Sequence, residues 1–334
     1  MRGRGAHVTG KGALRALFAV LALAVPLAAQ EKAPLSPFAV TTPPSAGTAK
    51  GKQDPCADYV PQARPQNASR DIVGQDLDQV IERGFMTFAV YDDYPPYSWL
   101  DEQTPRGVDV DIARLIAGEI GVEPRFTFVL SGETLETDLR LNIWQGSALN
   151  APVSNVMMRV PYDNHFACRV EQVVFNGQYA EESIAIAYAR KNYPENPPVP
   201  AYFRIDTVGV ENDSISDFYL TGFAGGQTAA GVRRYPTVAA AMQALAKGEV
   251  MAAMGPRGQL EYAIAQMGPD AGIALHEPPL PGLAKSRWTL GTGEHFAHRP
   301  LAYAVDDAIA AGLADGRIAK IYESYGMTLQ PPER

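Results

Sequence analysis

Cysteine is scarce in this sequence, and so is positive charge. Its 334 residues include two cysteines, Cys56 and Cys168, and 29 Lys and Arg against 37 Asp and Glu, a formal net charge of −8. An acidic surface repels phosphate backbones and anionic lipid headgroups, which argues against nucleic-acid and membrane-surface partners. Metal chemistry has little to work with. His295 and His298 stand three apart without a further ligand cluster nearby, so an exposed loop is the expected reading and no metal site or cofactor is assigned. The glycine run Gly222–Gly226 lacks the Lys-Ser/Thr that completes a phosphate loop. Cys168 follows His165 closely, but a disulfide or an inert thiol is expected there before a nucleophile.

Long apolar runs are also missing, with one exception at the start. Ala16–Ala29 follows Arg2, Arg4, Lys11 and Arg15 and is shorter than the roughly 20 residues a bilayer crossing needs. A basic start, a short apolar core and the sequence Leu27-Ala28-Ala29-Gln30 read as a secretory signal cut after Ala29, so residues 1–29 are assigned to a signal peptide and the chain to the periplasm. Removing four basic residues and no acids takes the net charge from −8 to −12. No cysteine follows directly to carry a lipid. In an oxidising compartment, Cys56 and Cys168 are left two states, bridged to each other or separate.

Residues 30–76 are rich in Pro, Ala, Thr and Gln and bury too little to fold alone, so they read as a flexible leader. Beyond it, secondary-structure periods are clear. Phe85–Val90 reads as a strand. Asp109 can cap a helix with Ile112, Leu115, Ile116 and Ile120 on one face, ended by Gly121, and Arg125–Leu130 is a second strand. The unit is βαβ, which implies a parallel sheet. A second α/β region follows. Thr207–Val210 is a strand, Asp213 or Ser214 can start a helix, Thr237 caps another that Gly248 ends, and Val250–Met254 is a strand. Two final helices, through Val305, Ile309 and Leu313 and through Ile318, Ile321 and Tyr322, must return to one of these sheets.

Four segments carry a family resemblance. They are Tyr94-Pro95-Pro96-Tyr97-Ser98-Trp99 with Gly107-Val108-Asp109-Val110-Asp111-Ile112; Arg169 ten residues before Tyr179; Val208-Gly209-Val210 with Ser214-Ile215-Ser216; and Asp315–Gly326. In this order they resemble the family 3, amino-acid-type periplasmic solute-binding proteins of ABC transporters. The resemblance implies an α/β, two-lobe periplasmic-binding-protein fold of type II. Each lobe is a mostly parallel sheet flanked by helices. Lobe 1 would span 77–185 and 288–330, lobe 2 would span 186–287, and two strands near Ser183–Tyr188 and Trp288–Thr292 would form the hinge. It further implies a monomer that closes over a small molecule and presents it to an ABC permease, without catalysis.

By the same resemblance, Arg169 would grip a ligand carboxylate, Tyr94 would stack on the ligand beside Tyr91, Asp92 and Asp93, and Ser214 and Ser216 would offer a helix start. Trp99 joins this set with less support. Each has an ordinary alternative: a surface ion pair for Arg169, turn and core structure for the aromatics, capping for one serine. Pro256 stands where the family places an ammonium-binding acid, and Arg257 follows it. An α-amino acid is therefore unexpected, and a carboxylic acid held by Arg169 and Arg257 fits better. The stretch from Asp138 to Pro161 also resembles a branch that accompanies periplasmic quinoprotein dehydrogenases, and the alternative it implies is an accessory or maturation protein of such an enzyme, with a divergent or empty cleft. A lyase of the cyclohexadienyl dehydratase type, with Asp92, Asp93 or Glu182 as its acid, is the enzymatic alternative.

Overall fold

The computed structural model describes residues 56–60, 76–146 and 152–332; the expected signal peptide, residues 1–29, lies outside them, as does most of the expected leader. In chain order the elements begin with α1 (Leu77–Arg83), β1 (Phe85–Tyr91), the hairpin β2 (Trp99–Asp101) and β3 (Thr104–Arg106), α2 (Val108–Ile120) and β4 (Glu123–Val129). Then come α3 (Leu135–Leu139), which continues as a wider helical turn through Trp144, β5 (Val156–Tyr162), α4 (Asn164–Ala167) and β6 (Val173–Ala189). They are followed by β7 (Val208–Glu211), α5 (Ile215–Gly226), β8 (Val232–Tyr235), α6 (Val238–Lys247), β9 (Ala252–Pro256), α7 (Arg257–Met267) and β10 (Ile273–His276). The last are β11 (Arg287–His295), α8 (Arg299–Ala314) and α9 (Arg317–Ser324).

The strands lie in the order β4-β1-β5-β11-β6-β9-β7-β8, with β10 also on β6. Strand β6 is the seam. Its first part, Val173–Ser183, pairs antiparallel with β11, and Ile184–Tyr188 pairs with β9. Neighbours β1 and β4 are parallel, as are β7 with β8 and β9, because α2, α5 and α6 provide the crossovers that parallel strands need.

Strands inside the sheet, such as β1, β5 and β9, are covered on both faces and mostly apolar, whereas the edge strand β4 alternates exposed Glu123, Arg125 and Thr127 with apolar residues. Side chains alternate along β1: Met86, Phe88 and Val90 face α2, α8 and α9, while Ala89 faces Leu139, Ile143 and Trp144. The final helices thus settle on the first half through Val305, Ile309, Ile318 and Tyr322. In the second half, Val238, Met242 and Leu245 of α6 cover one face, and Tyr219 and Leu220 of α5 the other. Each such aliphatic or aromatic side chain taken out of water contributes about 1.5–3 kcal/mol.

Helix ends follow local chemistry, with one correction. Ser214 and Thr237 accept hydrogen bonds from Asp217 and Ala240 backbone N–H at 3.2 and 3.1 Å, capping α5 and α6. Helix α2, however, starts at Gly107, which turns with φ 126° where an added Cβ would collide with the Tyr97 carbonyl. Asp109 therefore lies inside the helix instead of capping it, and is buried. Cys56 and Cys168 are bonded to each other, with 5.6 Å between their Cα atoms, and Tyr59 donates to Glu171 at 2.7 Å beside them.

Candidate functional site

A cavity of about 570 Å³ opens between the two halves of the sheet. The first half supplies the end of β1 with the following turn, the loop before α3, and Arg159, Pro161, Glu182, Trp288 and Leu290; the second supplies Glu211 and Pro256. Topology explains the location. Parallel strands β1 and β7 both end here, and ligands of open α/β sheets bind beyond strand carboxyl ends. A neighbouring recess of about 470 Å³ shares Tyr94 and Glu211 and adds Asp93, Thr237, Gln259 and Tyr262.

Arg159 is the centre of the cavity's buried chemistry. It sits within β5, where the pairing with β11 slips between Gly291 and Gly293. The slip is a bulge: Met157 and Val160, three residues apart, face the same cluster, and Arg159 has φ +59°. The extra residue turns the guanidinium toward Tyr97 and Tyr179. Its carbon lies 3.1 Å from the Tyr97 ring centroid and 5.8 Å from that of Tyr94. One nitrogen, Nη2, donates to Glu182 Oε2 at 2.9 Å, and Nη1 faces Asp109 Oδ1 at 3.8 Å.

Glu182 is satisfied on every side. Its Oε2 also accepts from the Tyr97 hydroxyl at 2.5 Å, and its Oε1 from the backbone N–H of Ser183 at 3.1 Å and of Gly258 at 3.2 Å. Gly258 lies in the first turn of α7, so this carboxylate occupies a helix N-terminus, where backbone donors favour negative charge. Asp109 accepts from the Tyr179 hydroxyl at 2.8 Å. Burial lifts its pKa to about 6, against the pull of Arg159. Burial likewise holds the hydroxyls of Tyr94, Tyr97 and Tyr179 above the usual phenol range.

The remaining lining is acidic and aromatic. Asp92 and Glu133 are exposed on the rim. Asp138 accepts from the Tyr91 hydroxyl at 2.9 Å and from Gly132 N–H at 2.8 Å. Glu211, half-buried, accepts from Val238 N–H at 3.2 Å, and desolvation raises its pKa. Among the described residues, five carboxylates (Asp92, Glu133, Asp138, Glu182 and Glu211) thus line the cavity with one arginine, which is already paired. Tyr91, Tyr94 and Trp288 add aromatic side chains.

The structure gathers some of the residues singled out by sequence and separates others. Tyr91, Asp92 and Tyr94 line the cavity, and Asp93 lines the adjoining recess. Arg169 does not. It is exposed, just past α4 beside the disulfide, because four residues of helix intervene between β5 and β6 and carry it to the outer surface. Arg257 is drawn into ion pairs with Glu261 at 2.7 Å and Glu277 at 3.4 Å, in a separate crevice against the C-terminal residues Thr328 and Gln330. Ser214 is used in capping, and Ser216 is buried with no partner for its hydroxyl; neither lines the cavity. Trp99 packs against Tyr262 and Tyr325 at ring distances of 6.3 and 6.0 Å. Neither Arg159 nor Glu211 is among the residues singled out by sequence. As a strand, Val156-Met157-Met158-Arg159-Val160 has a lone charge among apolar neighbours, the signature of a buried, paired group.

Residues 86–142 match the model of bacterial extracellular solute-binding proteins, family 3. No curated protein sequence matches the chain. Among solved structures, an ancestral cationic amino acid solute-binding protein superposes with a TM-score of 0.59 at 19% identity, over 75% of this chain and 98% of that one. An amino acid ABC transporter substrate-binding protein from Streptococcus pneumoniae, bound to L-arginine, gives 0.53 at 16% identity, over 76% and 98%. An ancestral amino acid-binding protein described as a precursor of cyclohexadienyl dehydratase gives 0.51 at 19%, over 75% and 98%. At such identities the likeness is one of fold. The chain thus shares the fold of these binding proteins, and its residues 86–142 are similar to the bacterial extracellular solute-binding proteins of family 3.

Proposed function

We propose that this protein binds a small, positively charged organic molecule in the cavity between its two halves, closes over it, and presents it to a membrane permease. The observation that carries the reading is the charge of the lining: among the described residues, five carboxylates against a single, already paired arginine. A carboxylic acid entering here would meet Asp92, Glu133 and Glu211 without a free guanidinium, since Arg169 and Arg257 lie elsewhere. A cation meets those acids together with the aromatic side chains of Tyr91, Tyr94 and Trp288, and a cation over such a ring gains about 0.5–2 kcal/mol. The solved relatives that bind cationic amino acids agree with this sign of charge.

Binding suits the site better than turnover. A lyase needs an acid with a proton to give. Glu182, one candidate for that acid, has both oxygens committed as acceptors to Arg159, Tyr97 and two backbone N–H groups. A quinoprotein dehydrogenase remains the alternative partner to a permease; co-purification from periplasm separates the two.

Thermal unfolding with panels of organic cations and of carboxylic acids tests the ligand's charge. Cations at about a hundred times their Kd should add about 2.7 kcal/mol, and acids without an amine should add nothing. Stabilisation by the acids alone would overturn the reading.

A further inference from the structure

We infer that the ligand lacks a carboxylate, so that the cavity selects amines and guanidines over the corresponding amino acids. This rests on the cation reading above and sharpens it. Gripping a carboxylate requires a guanidinium with free donors or an open helix N-terminus, aimed into the cavity. Here the protein fills both positions with its own acid. Glu182 takes Arg159 Nη2 at 2.9 Å and, through its other oxygen, the Gly258 N–H at the start of α7 at 3.2 Å. The second guanidinium terminus, Nη1, is buried and makes no hydrogen bond, with the Asp109 carboxylate facing it at 3.8 Å as its charge partner. The Tyr97 ring covers the guanidinium face at 3.1 Å.

Displacing Glu182 would leave a buried carboxylate without its charge partner, which is among the costlier losses a protein interior can suffer. An entering carboxylate would also add a sixth negative charge to the five already lining the cavity. Glu182 therefore acts as a built-in counter-ion, and it removes from the ligand the group that an amino acid would present. What is left for recognition is the cationic end: Glu211 from the second half, and Asp92 with Tyr94 from the first.

The test is calorimetric titration of the processed protein with two matched pairs, agmatine against L-arginine and cadaverine against L-lysine. Each pair keeps its distal cation and differs at the carboxylate. The inference predicts at least about tenfold tighter binding of the decarboxylated member, about 1.4 kcal/mol. It also predicts that Glu182→Gln, which frees Arg159, narrows or reverses the preference. Should that variant fail to fold, Asp109→Asn relieves the same guanidinium from its other side and is expected to narrow the preference too. Equal or tighter binding of the amino acids by the unaltered protein would overturn the inference while leaving the cation reading standing. Binding of neither pair, with millimolar succinate bound instead, would overturn both.

Discussion

At the residue scale, the account turns on charges held out of water. Asp109 has a raised pKa because burial disfavours its ionised form more than Arg159 and Tyr179 favour it. The folded protein thus holds the Asp109 proton more tightly than the unfolded chain does. Stability from this group is fully present below pH 3.8 and is lost as the pH climbs through about 6. Glu294 behaves in the same direction and further. Fully buried on β11, it has a pKa well above 4.5, chiefly by desolvation, with Thr292 pulling the other way and Asp306 adding to the rise. Glu294→Gln should therefore raise stability at neutral pH and flatten its decline above pH 4.5. Urea unfolding across a pH series measures this; an unchanged slope would show that the carboxyl titrates normally. None of this was legible in the sequence, because neither acid carries a mark of burial until the strands and helices around it are placed.

At the element scale, local chemistry was readable where period and caps coincide. Strands β1, β4 and β7 fall within a residue or two of their expected bounds, and Ser214 and Thr237 cap as their types suggest. The path between β5 and β6 was not readable. A bulge leaves no signal in composition, and the spacing from Arg169 to Tyr179 matches the family while α4 carries the arginine outward. Helix α7 offers an element-level test. An added Cβ at Gly258 would lie 2.5 Å from the Tyr97 hydroxyl and 2.7 Å from Met327 Cε, so Gly258→Ala should cost about 1–3 kcal/mol by overpacking and should loosen the hydrogen bond to Glu182. Breaking the disulfide should act differently. Cys168→Ala removes a tie across 112 residues and should cost about 2–4 kcal/mol in unfolding experiments, yet leave ligand affinity unchanged, since α4 does not reach the cavity.

At the scale of the whole molecule, the sequence carried the α/β class and the family resemblance, because βαβ units and helix starts are written in short segments. It did not carry the sign of the ligand's charge. That sign is a sum over Asp92, Glu133, Asp138, Glu182 and Glu211, which converge only when the two sheet halves face each other, and over arginines that the fold sends elsewhere. Agmatine affinity in Glu211→Gln and Arg169→Ala, compared with the unaltered protein, tests this most directly. The acidic cavity predicts a loss of about tenfold or more, roughly 1.4 kcal/mol, in Glu211→Gln and no change in Arg169→Ala. Loss in Arg169→Ala with full affinity in Glu211→Gln would contradict it.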